Sequence, residues 1–361
     1  MSAGGFDRSA APPPATPQPT SLFSETLAQL LSGREFAPGF IQRAMCEIVG
    51  GRWGDIEIAA FLVALRMRGE TAMEIAEAAT VVRQAMRVLD VGPLQVLDTC
   101  GTGGDGAGIF NVSTAVAFVV AAAGVPVVKH GNRAVSGHTA GSADVMAELG
   151  VRVEGGPERA RHCLQQCGLA FCYAPDFHPA LRQVGAVRRR LPTRTLFNLL
   201  GPLTNPARAP YQLIGVGQPE WLDRLAGAVK ILDARRAFIV SGREALDEVS
   251  LSGPTLVREV RGDELLAHEW TAADFGLDPC NLADLKVSSA AESAARIGAV
   301  LAGDKGSATR MVLANAAAAL LAAERVANLS EGVRVAADAL ESGRARRVLE
   351  HLIGASHEPI G

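Results

Sequence analysis

Apolar residues recur at helical spacing along the first quarter of the chain. The residues with this spacing are Leu27, Leu30, Leu31, Phe61, Leu62, Leu65 and Met67. Thr71 stands three residues before Glu74, and this S/T-x-x-E pattern predicts the start of a further helix. No strand pattern occurs before residue 93. We therefore predict a small all-helical domain over residues 21–92.

Beyond residue 93, short apolar runs alternate with helical patterns. Strands are predicted at Val96–Leu97, Val125–Val128, Leu169–Tyr173 and Ala237–Val240. Helices are predicted at Asn111–Ala123, Phe177–Arg190 and Trp221–Leu232, followed by alanine-rich helices from about Ser288. This alternation predicts an α/β fold, with a mainly parallel central sheet flanked by helices, over residues 93–361. The proline-rich stretch Asn198–Pro219 is expected to act as a hinge or to rejoin the helical domain, and a cleft between the two domains is the expected ligand site.

Composition excludes some functions and places few other limits. The chain is 48% hydrophobic and 20% charged, which suits a globular protein with a real core. A net charge of −3 gives no general attraction to nucleic acid or membranes, and no apolar run is long enough for a membrane span. Residues 1–20 are predicted to be a disordered tail, without a secretory signal, so a cytoplasmic location is expected. The six cysteines are scattered and predict packing instead of a zinc site.

A glycine-rich segment, Asp98-Thr-Cys-Gly-Thr-Gly-Gly-Asp-Gly106, follows the first strand and precedes a helix. Such a loop can converge backbone N–H groups on an anion, which predicts a phosphate or pyrophosphate cradle, although a flexible turn would also fit. The segment matches neither the dinucleotide fingerprint nor the P-loop. At the start of the next helix, Asn111, Ser113 and Thr114 offer side-chain donors, or serve as an ordinary helix cap.

A second polar segment, Lys129-His-Gly-Asn-Arg133, follows the Val125–Val128 strand. Ligand groups gather beyond the carboxyl ends of parallel strands, so both loops are expected at one edge of the sheet. Lys129 can supply a point charge for phosphate, and Asn132 can donate and accept. His130 is a base or a structural residue. Ser142 lies in a further small-residue loop before another helix.

Two adjacent carboxylates, Asp247 and Glu248, follow the Ala237–Gly242 strand and loop. Hard oxygen ligands of this kind suit magnesium, which takes its remaining ligands from water and substrate phosphates. Two solvated acids are the alternative. Arginines crowd one predicted helix and its exit, and one or two of them are expected to contact a ligand. They are Arg182, Arg188, Arg189, Arg190 and Arg194.

Taken together, these motifs resemble the anthranilate phosphoribosyltransferase family in order and spacing, over roughly Ser21 to Gly354. The match includes Arg194-Thr-Leu-Phe-Asn-Leu-Leu-Gly-Pro-Leu-Thr-Asn-Pro206 and Leu246–Thr255. The resemblance implies a helical domain joined to an α/β domain and a homodimer packed through the helical domains. It also implies Mg²⁺-dependent transfer of a phosphoribosyl group from phosphoribosyl pyrophosphate to anthranilate in tryptophan biosynthesis.

The resemblance also implies residue roles. The pyrophosphate loop would include Gly101, Gly103, Gly104 and Asp105. Phosphates or ribose would be held by Asn111, Ser113, Thr114, Lys129 and Ser142. Magnesium would be bound by Ser113, Asp247 and Glu248. The anthranilate path would be lined by Asn132, His178 and Arg188, with Arg188 facing the carboxylate and Gly201 in the hinge beside that path. His130 would be a further substrate-binding residue. The catalytic set would be Lys129, Asn132 and Arg188.

One loop departs from the family pattern. Ser136-Gly-His-Thr-Ala-Gly-Ser142 is one residue longer than is usual and has His138 where lysine is common. It partly resembles a loop of pyrimidine nucleoside phosphorylases, so phosphorolysis of a pyrimidine nucleoside is an alternative hypothesis. A non-catalytic relative that binds nucleic acid through the arginine cluster is a third. The acidic net charge and the carboxylate pair argue against it.

Overall fold

The chain is described by a computed structural model that covers residues 21–103, 106–134 and 140–360. The predicted tail lies outside these residues, as do Gly104, Asp105 and His138. The first unit is helical, as the sequence predicts. Its helices are α1 (Ser21–Leu31), α2 (Phe40–Val49), α3 (Asp55–Arg68) and α4 (Ala72–Ala85). The Thr71 hydroxyl accepts from the Glu74 N–H and the Glu74 carboxylate accepts from the Thr71 N–H, so the predicted capping box begins α4.

The rest of the described chain alternates strands and helices, then ends in helices. The strands are β1 (Leu97–Gly101), β2 (Val127–Gly131), β3 (Leu169–Tyr173), β4 (Tyr211–Gly215), β5 (Arg236–Gly242), β6 (Thr255–Arg261) and β7 (Glu264–Trp270). The helices between them are α5 (Val112–Ala122), α6 (Ser142–Glu148), α7 (Gly156–Cys167), α8 (Ala174–Phe177), α9 (Arg182–Arg190), α10 (Leu196–Leu200) and α11 (Leu222–Ile231). The final helices are α12 (Ala290–Leu301), α13 (Ser307–Ala322), α14 (Leu329–Glu341) and α15 (Arg344–His357).

The strands form one seven-stranded sheet in the order β3-β2-β1-β4-β5-β6-β7. The first five strands of this order are parallel, and β6 and β7 are antiparallel, which confirms the predicted mainly parallel sheet. Helix α5 is apolar almost all round because it is buried in the main core, where α13 and α15 pack against it. The buried position of α5 fixes its amino end beside the end of β1.

Several predicted elements differ from the structure. The Val125–Val128 strand is shifted to Val127–Gly131, so Lys129 lies inside β2 and not after it. The predicted helix Phe177–Arg190 is interrupted near its start. α8 ends at Phe177, a turn of 3₁₀ helix follows at Pro179–Leu181 and α9 begins at Arg182, because a proline disfavours the helical conformation of the residue before it. The proline-rich stretch contains β4, which is the central strand of the sheet.

The helical unit and the sheet share a hydrophobic core. One face of α4 meets α10 and α11, and this cluster also takes in Val184 and Val187 of α9 and Ile239 of β5. Leu196–Leu203 therefore packs with the helical unit, while β4 belongs to the sheet. The domain boundary at residue 92 stays a prediction. Within the described residues, no helix combines the length and the apolar character that crossing a membrane requires.

Candidate active site

The loop that carries Asp247 lies directly on the ends of two central strands. Gly101 of β1 pairs with Gly215 of β4, and both are the last residues of their strands. A Cβ atom on Gly101 would lie 2.5 Å from Asp247 Oδ2, and one on Gly215 would lie 1.7 Å from the Asp247 carbonyl oxygen. Any side chain at these positions would displace the loop. The two glycines therefore allow the carboxylate pair to sit at the carboxyl edge of the sheet.

Both carboxylates are oriented by backbone N–H groups. Asp247 Oδ2 accepts from the Gly103 N–H at 3.0 Å, and Glu248 Oε1 accepts from the Ser113 N–H at 3.1 Å. The first donor belongs to the glycine-rich segment and the second to the first turn of α5. These bonds join the Asp247-Glu248 loop to two segments that lie 144 and 135 residues earlier in the chain. The two loops that the sequence places at one sheet edge, after β1 and at the end of β2, also lie on this side because β1 and β2 are parallel neighbours.

Lys129 is a buried cation in the middle of this arrangement. Its side chain is 1% exposed, and Nζ donates to the Thr99 carbonyl oxygen at 2.5 Å and to Ser113 Oγ at 3.1 Å. Burial lowers the pKa of Lys129, and the nearby charge of Asp98 opposes that shift. Burial likewise raises the pKa of the fully buried Asp98, and the charge of Lys129 opposes it. Lys129 thus orients the Ser113 hydroxyl and balances a buried carboxylate.

Two histidines join the end of β2 to the start of a 3₁₀ turn. His130 Nδ1 lies 3.1 Å from the Gly201 carbonyl oxygen, and His130 Nε2 lies 3.2 Å from His178 Nε2. Burial lowers the pKa of His130 to about 3, with His178 adding to the effect, and burial lowers that of His178 to about 4. Both rings are therefore neutral near neutral pH. Since a carbonyl oxygen only accepts, His130 donates from Nδ1, and its Nε2 accepts from the Nε2–H of His178.

The other predicted binding residues lie around the same edge. Asn111 is held by α12, because Oδ1 accepts from Ser293 Oγ at 2.9 Å. Thr114 is fully buried, and its hydroxyl has no hydrogen-bond partner among the described residues. Asn132 is exposed, and its Oδ1 accepts from the Arg133 N–H at 2.8 Å. Ser142 Oγ lies over Gly131, where a Cβ atom would be only 2.1 Å away.

The predicted arginine contacts divide into two kinds. Arg188 is half-buried on α9, burial lowers its pKa, and no described residue lies within hydrogen-bond or ion-pair distance of its guanidinium. Arg194 donates to the Gly103 carbonyl oxygen and stacks over Trp221 at 5.7 Å. Arg188 is thus a half-buried cation that can pair with an anionic ligand, whereas Arg194 stabilises the position of the glycine-rich segment.

Sequence reasoning missed several residues that hold this site together. Asp98 stands in the sequence only as the start of the glycine-rich segment, and Asn205 only as part of the expected hinge. In the structure, Asn205 Nδ2 donates to Asp98 Oδ2 at 2.8 Å. Asn315 contacts the residue after Glu248. A polar residue inside an apolar run, as Asn315 is within α13, was the available signal.

Comparison with known proteins agrees with this architecture. The model of the glycosyl transferase family α/β domain matches residues 94–346, and that of the family's helical bundle domain matches residues 24–86. Anthranilate phosphoribosyltransferase from Chromobacterium violaceum is 43% identical over 333 residues, covering 92% of this chain and 97% of the relative.

Two solved structures show the same similarity. Anthranilate phosphoribosyltransferase from Thermus thermophilus superposes with a TM-score of 0.86 at 40% identity, covering 92% of this chain and 99% of that one. The Saccharomyces cerevisiae enzyme, solved in complex with phosphoribosyl pyrophosphate and Mg, superposes with a TM-score of 0.85 at 28% identity, covering 93% and 98%. The chain belongs to the anthranilate phosphoribosyltransferase family.

Proposed function

We propose that this protein transfers the phosphoribosyl group of phosphoribosyl pyrophosphate to anthranilate and releases pyrophosphate, as a step of tryptophan biosynthesis. The bond from ribose C1 to pyrophosphate breaks, a bond from C1 to the anthranilate nitrogen forms, and that nitrogen loses one proton. The observation that carries the proposal is the meeting of the glycine-rich segment, the amino end of α5 and Asp247-Glu248 at one sheet edge. Relatives and solved neighbours with this activity in their names support it.

The carboxylate pair fits magnesium. Asp247 and Glu248 are hard oxygen donors held beside the Ser113 hydroxyl, and among the described residues they belong to no group of three acidic, cysteine or histidine side chains that could hold a metal. A site with few protein ligands leaves room for substrate phosphates and water, which is what Mg²⁺ usually requires. When bound, Mg²⁺ would neutralise charge on the leaving pyrophosphate. The yeast neighbour with Mg bound supports this assignment.

The chain's own residues would act on the leaving group through fixed donors. The buried Thr114 hydroxyl is an unused donor at the amino end of α5, where helix N–H groups favour an anion. Lys129 would contribute a positive charge whose attraction to phosphate is strengthened by the low dielectric of its buried position. Such preorganised donors commonly provide the largest share of catalysis. Gly101, Gly103, Gly104, Asp105, Asn111 and Ser142 complete the proposed phosphate and ribose contacts.

On the acceptor side, the need is for orientation more than for a base. The aromatic amine of anthranilate is neutral near pH 7, so a strong general base is unnecessary. Arg188 would pair with the anthranilate carboxylate, because its guanidinium has no described partner in the protein. Asn132, His130, His178 and Gly201 would line the path, and the neutral histidines would present fixed donors and acceptors.

We also propose a homodimer that forms through the helical unit. Ile56 and Met67 of α3 are 82% and 84% exposed, and Val63 lies on the same face of that helix. Leu31, at the end of the neighbouring α1, is 75% exposed. An apolar stripe of this kind marks an interaction surface, and a second copy is the proposed occupant. Met67→Glu should convert a dimer to a monomer in sedimentation, and an unchanged mass would refute this face as the dimer interface.

The cytoplasmic location stays part of the proposal.

The metal assignment is tested by the double substitution Asp247→Asn with Glu248→Gln. Turnover of anthranilate should fall by about a thousandfold or more at limiting Mg²⁺ because the charge that holds the cation is gone. The control is Asp223→Asn with Glu220→Gln, which should leave turnover unchanged. These are exposed acids of the same two types, in the first turn of α11 and just before that helix. Near-normal turnover of the Asp247/Glu248 variant would show that the metal is held elsewhere.

A further inference from the structure

Two buried asparagines lie behind the proposed site without belonging to it. Asn205 is 1% exposed and follows the Gly201–Leu203 turn, and Asn315 is completely buried in the middle of α13. Neither is a proposed ligand of substrate or metal. Each uses its side-chain amide to grip the backbone beside one half of the site. The halves differ, since Asn205 lies behind the histidines and Asn315 lies behind the carboxylate pair.

Asn205 ties the turn that contains Gly201 to two strands of the sheet. Its Nδ2 donates to Asp98 Oδ2 of β1 at 2.8 Å and to the Val128 carbonyl oxygen of β2 at 2.7 Å. Its Oδ1 accepts from the Ala207 N–H at 2.9 Å. Both amide hydrogens are therefore used, one for a bond to β1 and the other for a bond to β2. The other oxygen of Asp98 accepts from the His130 N–H at 3.4 Å.

The same turn is held at two further carbonyl oxygens. Gln212 of β4 donates to the Pro202 carbonyl at 2.8 Å, and Arg83 of α4 donates to the Leu203 carbonyl at 2.6 Å. The Gly201 carbonyl accepts from His130 Nδ1 at 3.1 Å and, within the turn, from the Thr204 N–H at 3.4 Å. Asn205 is the residue of this group that connects the turn to the strand carrying His130. Losing it would loosen the spacing of His130, Gly201 and His178 while the sheet remains intact.

Asn315 grips a single residue from both sides. Its Oδ1 accepts from the Val249 N–H at 2.8 Å, and its Nδ2 donates to the Val249 carbonyl at 2.9 Å and to the Met311 carbonyl at 3.0 Å. Val249 directly follows Glu248 and is itself fully buried. The side-chain amide thus pairs with both backbone groups of Val249, as a neighbouring strand would, and it fixes the backbone directly after Glu248.

We propose that Asn205 and Asn315 are positioning residues with divided roles: Asn205 sets the geometry of the acceptor side, and Asn315 sets that of the metal and pyrophosphate side. The inference rests on the proposed function. The side-chain amide offers two donor hydrogens and an acceptor oxygen together, and the groups it pairs are buried and cannot turn to water instead. The two residues are therefore matched controls for each other, since both are buried amides with three hydrogen bonds.

The test compares Asn205→Ala with Asn315→Ala. The KM of each substrate is measured with the other substrate and Mg²⁺ saturating. For Asn205→Ala we expect kcat/KM for anthranilate to fall by about ten- to a hundredfold, with the KM for phosphoribosyl pyrophosphate within about threefold of wild type. For Asn315→Ala we expect the reverse pattern.

A second readout does not depend on turnover. Mn²⁺ binding is followed by electron paramagnetic resonance in the presence of phosphoribosyl pyrophosphate and without anthranilate. Asn315→Ala should weaken Mn²⁺ binding by about tenfold, while Asn205→Ala should leave it within about twofold. Equal effects of both variants on both substrates and on Mn²⁺ would mean general loosening of the fold, and would overturn the division of roles.

If an alanine variant does not fold, the aspartate variant takes its place. Asn205→Asp and Asn315→Asp keep the volume and the acceptor, and lose the donor until the acid is protonated. Their defects should keep the same crossed pattern, because at least one of the two hydrogen bonds that each asparagine donates is lost whether or not the new acid is protonated. Defects of equal size on both substrates would contradict the proposal. A folded wild-type protein without turnover would overturn the proposed function itself, whereas active wild type with uncrossed variants overturns only this inference.

Discussion

Replacing Lys129 by methionine should destabilise the protein in a way that depends on pH. Methionine keeps most of the volume, but removes the ammonium that donates to Thr99 and Ser113 and that balances the fully buried Asp98. Removing one partner of a buried charge pair costs about 3–5 kcal/mol, because the remaining charge is left without compensation. We expect a loss of that size near neutral pH, together with loss of activity.

The pH dependence follows from the direction of the Asp98 shift. Burial already raises the pKa of Asp98, and the Lys129 charge holds it down, so the substitution raises it further. A carboxyl whose pKa is higher in the folded than in the unfolded state favours folding when it is protonated, and that benefit is lost as the pH rises through the folded pKa. The destabilisation of Lys129→Met relative to wild type should therefore shrink as the solution is acidified.

Urea unfolding, followed by circular dichroism at a series of pH values, measures this effect. The matched control is Lys129→Met combined with Asp98→Asn, which removes both charges and should recover more than half of the lost stability near neutral pH. If Lys129→Met costs the same at acidic and neutral pH, or if the double variant is no more stable than either single one, the charges of Lys129 and Asp98 do not stabilise each other as described above.

Three further predictions test other parts of the site. Arg188→Ala should raise the KM for anthranilate by about thirtyfold or more, without loss of stability because no described residue pairs with the guanidinium. The exposed control Arg189→Ala should change neither KM nor stability, and an unchanged KM for Arg188→Ala would refute the carboxylate contact. Gly215→Ala should cut kcat/KM for phosphoribosyl pyrophosphate by about a hundredfold, because its Cβ would lie 1.7 Å from the Asp247 carbonyl oxygen. The control Gly354→Ala, whose Cβ would meet no atom within 4 Å, should leave kcat/KM unchanged, and normal kinetics for Gly215→Ala would contradict the described loop position. Burial lowers the pKa of His130 to about 3 and that of His178 to about 4, so kcat/KM for anthranilate should not change with pH near neutrality through titration of a histidine. A fall of kcat/KM between about pH 7 and 6 that disappears in His130→Asn would show that the His130 ring becomes charged in that range.

The sequence was most informative where one local signal was strong and unopposed. The apolar run Leu169–Tyr173 is the strand β3 with the predicted bounds, and the Thr71–Glu74 pair begins α4. The break within Phe177–Arg190 had a signal in Pro179, which outweighs the helical pattern around it. The residues of β4, Tyr211–Gly215, suit a strand, but the prolines on either side of them favour a loop or hinge, so the sequence does not predict this strand.

The antiparallel strands β6 and β7 were missed for a different reason. β7 is an edge strand and is largely exposed, so its apolar content is not concentrated on one face. β6 lies between β5 and β7 and buries alternate residues, but its buried face includes Thr255 and Glu259, which hides the apolar alternation. Sequence patterns identify strands that bury a face more readily than edge strands whose partners are set by the fold. The mainly parallel character of the sheet was still predictable because the buried strands carry the signal.

The candidate site shows the same limit at the level of contacts. The glycine-rich segment and Asp247-Glu248 are predictable from residue type and position after strands, and Lys129 from its charge beside an apolar run, although it lies inside β2. The sheet order then brings these residues together. Their supports could not be predicted, since the bond from Asn205 to Asp98 spans 107 positions and that from Val249 to Asn315 spans 66. Such pairs are fixed by the packing of whole elements, which short-range patterns do not describe.

Anthranilate fluorescence offers the most direct test of the proposed reaction. The wild-type protein is incubated with anthranilate, phosphoribosyl pyrophosphate and Mg²⁺, and the loss of fluorescence is followed with and without a chelator. We expect fluorescence to fall with time, pyrophosphate to appear in equal amount, and both changes to stop when the chelator removes the metal. A well-folded protein that leaves anthranilate unchanged, and that instead splits thymidine or uridine with phosphate, would contradict the account and favour a pyrimidine nucleoside phosphorylase.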